Sequence, residues 1–224
     1  PANVSDQQWI EKMTNPLWKE LYQEVQKKYG NFDTKAQDIE LFFKHAIHYF
    51  PSTKVPKVIA LIGEMDYESK IIYNGEYLLI ALELYLGKDH EYYKAEFPTF
   101  ISQNFEDTQI LPDIATQFGM TKVRYPLTKS FIELMLYEGK LLYLKDLTLP
   151  TYKDEDKIGY TKEQLDWAAT NEADIWKFFI EGNILYSTDN KLASRFINPA
   201  PFSKFYLEID NESPGRIGSY LGWQ

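Results

Sequence analysis

The sequence predicts an α+β fold: a single, mostly helical domain over residues 1–224 with a small antiparallel sheet inserted early. Three observations predict it. Apolar residues recur at helical spacing through the first 50 residues and again from residue 99 onward. Between these regions, short apolar runs flank Asn74-Gly75, a dipeptide that favours a tight hairpin because both residues tolerate positive φ. No repeat, low-complexity tract or linker interrupts the chain. A helical pair (1–56), a hairpin region (57–87) and a second helical part (88–224) are therefore expected to belong to one domain.

The first predicted helix follows Pro16, carries Leu17, Trp18, Leu21, Tyr22 and Val25 at helical spacing, and closes at Gly30. The second starts at Asp33-Thr34, buries a stripe from Ile39 to Phe50 and ends at Pro51, which cannot continue a helix. The period then shortens. Val58–Ile62, Ile71–Tyr73 and Tyr77–Leu86 are expected strands, and the lack of polar alternation over Tyr77–Leu82 predicts burial on both faces. A helix around residues 128–146 follows, carrying Phe131, Leu134, Met135, Leu141 and Leu142. Thr161 to Gln164 has the pattern of a reciprocal cap and opens a helical region running through Trp167, Trp176 and Phe179. Tyr186–Phe205, with Pro199 and Pro201, is expected to be a loop-rich connection. Ser213-Pro214 is expected to start a last helix, Ser as the cap and Pro at the first position.

Composition excludes several function classes. With 44% hydrophobic and 16% aromatic residues the chain is too apolar for a disordered one. Its 24 Lys+Arg against 33 Asp+Glu give a net charge of −9, a balance that does not collect phosphates, so no nucleic-acid partner is expected. With no cysteine, no thiol nucleophile or thiolate metal site exists. The start at Pro1 predicts a processed amino terminus, any signal or lipid-attachment segment having been removed upstream.

Few residue clusters point to chemistry. His45 and His48 have an acceptable spacing for two ligands on one helix, but both fall opposite the apolar stripe, where they are expected to face water. Glu138 falls inside the stripe of its helix, one turn from Met135 and from Leu142. Glu172 shares a face with Leu165, Ala168, Trp176 and Phe179, with Asn183 further along. An inward carboxylate requires a cation, hydrogen-bond donors or a proton, and Arg124, Arg195 and Arg216 are the available guanidinium partners. Either the two glutamates form an acid/base pair, as in a glycosidase, or each ends a buried polar network of Glu138, Glu172, Asn183 and Arg216 that fixes helix positions. In the last segment, three helical glycines would cost roughly 2–3 kcal/mol relative to alanine. Gly215, Gly218 and Gly222 would fall on one side as a strip for close packing, with Trp176 and Trp223 as packing or partner-contacting aromatics; an anion site at the helix start beside Arg216 is the alternative.

Taken together, Glu138-Gly139-Lys140-Leu141-Leu142-Tyr143, Leu149-Pro150, Gly159-Tyr160-Thr161, Asn171-Glu172 with Ile175-Trp176, and Ser213-Pro214-Gly215-Arg216-Ile217-Gly218 with Gly222-Trp223-Gln224 resemble the GldB-type gliding-motility lipoproteins of Bacteroidetes. The resemblance implies an exported protein of the cell envelope, periplasm-facing in orientation, anchored through a lipidated cysteine upstream of this chain. It also implies partners among the other envelope proteins of the gliding and secretion machinery. That family in turn resembles zinc-dependent peptidases of zincin-like fold, in which a helical HExxH precedes a helix bearing Glu-Gly. Glu138-Gly139 matches the second element, and Ile110–Thr116 takes the place of the first, so Pro112 and Thr116 stand where two histidines belong. Neither offers a good zinc ligand, so no metal, no cofactor and no catalytic residue are expected. The leading expectation is a non-catalytic binding or scaffolding module; a hydrolase using Glu138 and Glu172 and a divergent zinc peptidase are the alternatives.

Overall fold

A computed structural model describes residues 5–208 and 210–224. Helices α1 (Asp6–Thr14), α2 (Pro16–Tyr29) and α3 (Asp33–Tyr49) lead into strands β1 (Lys57–Leu61), β2 (Ile71–Tyr73) and β3 (Tyr77–Ala81). The rest is helical: α4 (Glu91–Glu96), α5 (Thr99–Ser102), α6 (Ile110–Met120), α7 (Phe131–Thr148), α8 (Asp154–Ile158), α9 (Lys162–Thr170), α10 (Glu172–Glu181), α11 (Lys191–Phe196) and α12 (Ile217–Trp223). The fold is α+β and mostly helical, as the periodicity predicts.

Local signals act where the sequence places them. Pro16 occupies the first turn of α2, where its missing N–H is not needed, and α3 ends at Tyr49, with Phe50 as its C-cap just before Pro51. Thr161 caps α9 reciprocally: its hydroxyl accepts from the Gln164 N–H at 3.2 Å, and the Gln164 side chain accepts from the Thr161 N–H at 2.9 Å. Asn74 Oδ1 accepts from the N–H groups of Glu76 and Tyr77, and Gly75 takes φ +90°, which closes the β2–β3 hairpin.

The sheet is mixed, not wholly antiparallel. Its order is β1-β3-β2; β2 and β3 pair antiparallel with Ile72 opposite Leu79, while β1 and β3 run parallel with Ile59 opposite Leu79. A parallel pair needs a long crossover, and the segment 62–76, which contains β2 itself, supplies it. β3 is the central strand, with Leu78 and Ile80 fully buried, but Tyr77 is exposed and Leu79 only half-buried, so one face carries the core. Nor does the strand reach Leu86. It stops at Ala81, and the apolar run continues as a 3₁₀ turn, Leu82–Leu84, that stays inside. The segment 186–205 is also less irregular than expected, since α11 lies within it.

Two apolar clusters form. One joins α2, α3, the sheet and α6 through Phe42, Phe43, Leu78, Tyr85 and Phe118, with Leu144 near the end of α7. The other gathers Phe131, Met135 and Leu142 of α7 with Ile158, Phe179, Phe196, Ile217 and Tyr220. α7, about 27 Å long, thus runs from one cluster into the other and is buried on most sides.

Candidate functional site

Glu138, near the middle of α7, is half-buried, and its Oε2 stands 3.7 Å from Arg216 Nη2. Glu172 opens α10 and accepts from the Tyr220 hydroxyl at 3.3 Å; burial, followed by this carboxylate, pushes that phenol up to about 12. The two glutamates therefore attach to different points of the same carboxyl-terminal segment. Asn183 stands elsewhere. It is exposed just past α10, where its side chain donates to Glu181 O at 3.4 Å and its φ is +53°. The separation arises because α10 ends at Glu181: Gly182 is its C-cap and Asn183 takes a left-handed φ, so the stripe that Glu172 opens stops short of Asn183, while the break at Asn171, whose side chain turns back to Trp167 O at 2.8 Å, sets α9 and its Leu165 and Ala168 apart from Glu172.

The last helix begins later than Ser213-Pro214 predicts. Arg216 is its N-cap at φ +61°, which places Gly215 in the preceding turn and leaves Gly218 and Gly222 on α12. That turn is held by buried hydroxyls: Ser203 Oγ donates to Pro214 O at 2.7 Å and accepts from Ile217 N–H at 3.2 Å, while Tyr160 donates to Gly215 O at 2.6 Å. A left-handed conformation costs a non-glycine residue roughly 1–2 kcal/mol. Arg216 offsets it with contacts glycine lacks, donating from Nη1 to Ile158 O at 3.0 Å and facing Glu138.

Glycines set how closely α12 approaches. A Cβ on Gly139 would collide with the Gly222 carbonyl, and one on Gly222 with the Met135 carbonyl, so α7 and α12 cross backbone to backbone. A Cβ on Gly215 would strike Ala200 O, and one on Gly218 would come within 2.9 Å of Ile197 and the Phe196 carbonyl. Trp223 is half-buried and donates its indole N–H to Asp146 on α7 at 2.8 Å. Trp176, also half-buried, packs against the second apolar cluster.

Beside this crossing lies a cavity of about 270 Å³ between α6, α7, α8 and the turn before α12. Charged groups line it: Glu68, Lys70, Asp113, Lys145, Lys157 and Arg216. Asp113 is fully engaged, 2.6 Å from Lys70 Nζ and accepting from the Tyr85 hydroxyl at 2.9 Å. Lys157 pairs with Asp146 at 2.8 Å and with Asp154 at 3.0 Å. Lys145 is only 6% exposed and donates to Lys157 O at 2.6 Å, but no carboxylate lies within 4.0 Å of it among the described residues. Burial pulls its ammonium down to about 7; Asp113 and Glu138 pull it back up, Arg216 and Lys70 push it down.

The family model described as gliding motility protein GldB matches residues 2–224. The chain belongs to the GldB family. It is a gliding-motility lipoprotein, a class of the cell envelope, and no helix among its described residues is long and apolar enough to cross a membrane. No curated protein and no solved structure matches it significantly.

In this GldB-family chain Pro112 and Thr116, the residues expected in place of two histidines, serve the helix α6 itself. Pro112, buried in the first turn of α6, has no donor atom, and the Thr116 hydroxyl donates to the Pro112 carbonyl at 2.9 Å. Among the described residues no three His, Asp or Glu side chains come together in a metal-holding group. His45 is not turned wholly to water: it is half-buried, and its Nδ1 lies 3.0 Å from Thr148 O, while His48 is exposed. The buried charged residue that sequence reasoning missed is Lys145. The signal was present, since Lys145 follows Glu138 by seven residues and so repeats its position on the inward stripe of α7.

Proposed function

We propose that the chain acts in gliding motility, and in the secretion associated with it, as a non-catalytic binding or scaffolding module facing the periplasm. Other envelope proteins of that machinery are its partners, and an amino-terminal lipid upstream of this chain holds it at the membrane. One observation carries the reading: Glu138, the carboxylate expected from the resemblance to stand at a peptidase ligand position, faces Arg216 at 3.7 Å and helps seat α12 on α7. Glu172 is engaged in the same task through Tyr220. Ties of both carboxylates to one structural segment support an attaching role over that of an acid and a base across an open cleft.

Glu138→Gln should lower the thermal midpoint by a few degrees and reduce colony spreading in step with it, as judged by calorimetry of the purified protein and complementation of a deletion strain. A Glu138→Gln protein with the wild-type midpoint and no motility would assign chemistry to the carboxylate and sink the scaffold reading.

A further inference from the structure

We propose that the cavity between α6, α7, α8 and the turn before α12 binds a carboxylate, held by the Lys145 ammonium and the Arg216 guanidinium. This goes beyond the scaffold reading and does not depend on it. The cavity's other cations already face carboxylates: Lys70 faces Asp113, Lys157 faces Asp146 and Asp154, and Arg216 faces Glu138. Lys145 alone among the lining cations has no carboxylate within 4.0 Å among the described residues. An ammonium has three N–H donors, and Lys145 directs one at Lys157 O. Arg216 makes one hydrogen bond, to Ile158 O, since its contact with Glu138 is longer than a hydrogen bond. Lys145 and Arg216 thus keep donors that no protein acceptor uses beside the cavity.

The ligand's charge and shape follow from the same groups. A lining lysine without a carboxylate within 4.0 Å suits a single negative charge, and the neighbouring Glu68, Asp113 and Glu138 oppose a phosphate dianion. Ile71, Ile101, Phe105 and Ile158 on the cavity wall suit an apolar chain behind the carboxylate, and Gln103 and Asn104 suit an amide. The occupant is a monocarboxylate with a short apolar body, either a free small acid or the carboxyl terminus of a peptide. A buried, unpaired lysine weakens the fold, so a ligand explains its presence better than packing does.

Binding also has a pH signature. The charged groups facing Lys145 are Lys70 ahead of β2, Asp113 on α6, Glu138 on α7, Lys157 on α8 and Arg216 before α12, while His45 on α3 faces the Thr148 carbonyl at the end of α7. Only the protonated amine attracts an anion, so affinity falls as pH rises through about 7.

The test is titration calorimetry and thermal shift of the full chain with sodium hexanoate, hexanamide, N-acetyl-trialanine, its carboxamide, and inorganic phosphate. Either acid should bind and raise the midpoint, the amides should not, and affinity should drop at least about tenfold between roughly pH 6 and pH 9. Lys145→Met should bind the acid at least about tenfold more weakly while melting no lower than wild type without ligand; Lys145→Gln serves if the Met variant does not fold. Binding of both acids, or of the peptide acid alone, supports the proposal and identifies the source. Binding of neither acid, equal binding of acid and amide, preference for phosphate, or an unchanged response in both lysine variants overturns it.

Discussion

Glu83 shows how far one residue's setting can depart from its type. It is fully buried after β3; one carboxylate oxygen accepts the Gly63 N–H at 2.8 Å, and the other has no partner among the described residues. Burial raises its carboxyl above the ordinary glutamate range, against the lowering pull of the backbone donors. A carboxyl raised in the folded state binds more protons folded than unfolded. Its favourable contribution is complete below the unfolded value and disappears as pH rises through the folded one. Glu83→Gln should therefore flatten the decline in thermal midpoint from about pH 4 toward neutral, a difference that melts across that range would display. Lys145 and Glu83 were both legible as charges set in apolar surroundings, at one stripe position and inside the run Tyr77–Leu86. What the sequence withheld is their partners, which arrive from α8, from the turn before α12 and from the loop at Gly63.

Among the elements, legibility follows the range of the interactions. α2, α3, the start of α9 and the β2–β3 hairpin rest on caps, prolines and turns encoded within a few residues, and each forms where its local signals stand. The parallel pairing of β1 with β3 and the late start of α12 depend on distant groups. A crossover sets the first; Ser203 and Tyr160, which grip the Pro214–Gly215 turn, set the second. The glycine strip was legible as a motif but not in membership, because its partner on α7 is Gly139 while Gly215 serves the turn. Gly139→Ala should cost roughly 2–4 kcal/mol by chemical denaturation, since the clash is with the backbone of α12 and no side chain can move aside. Gly75→Ala, with nothing within 4 Å and only its φ of +90° against it, should cost less, about 1–2 kcal/mol.

For the whole molecule, the arrangement of α7 is the governing feature. Its first half belongs to the cluster around Phe179 and Phe196 and its end to the cluster around Phe42 and Phe118; Glu138 and Gly139 lie at its middle and Lys145 in its last turn. A helix shared in this way couples the two clusters, so heat or denaturant should unfold the chain in one step. Trp18 reports near the first cluster and Trp167 and Trp176 near the second; coincident fluorescence and circular-dichroism transitions are expected, whereas two separated midpoints would mean independent units. In this family member the inward charges of α7 serve attachment, of α12 through Glu138 and, as proposed, of a carboxylate through Lys145. The most direct test of that account is the motility of a Glu138→Gln strain after a second-site change far from α7 has returned the protein's thermal midpoint to the wild-type value. Spreading should return with stability; a chain as stable as wild type that still leaves cells unable to glide would contradict the account.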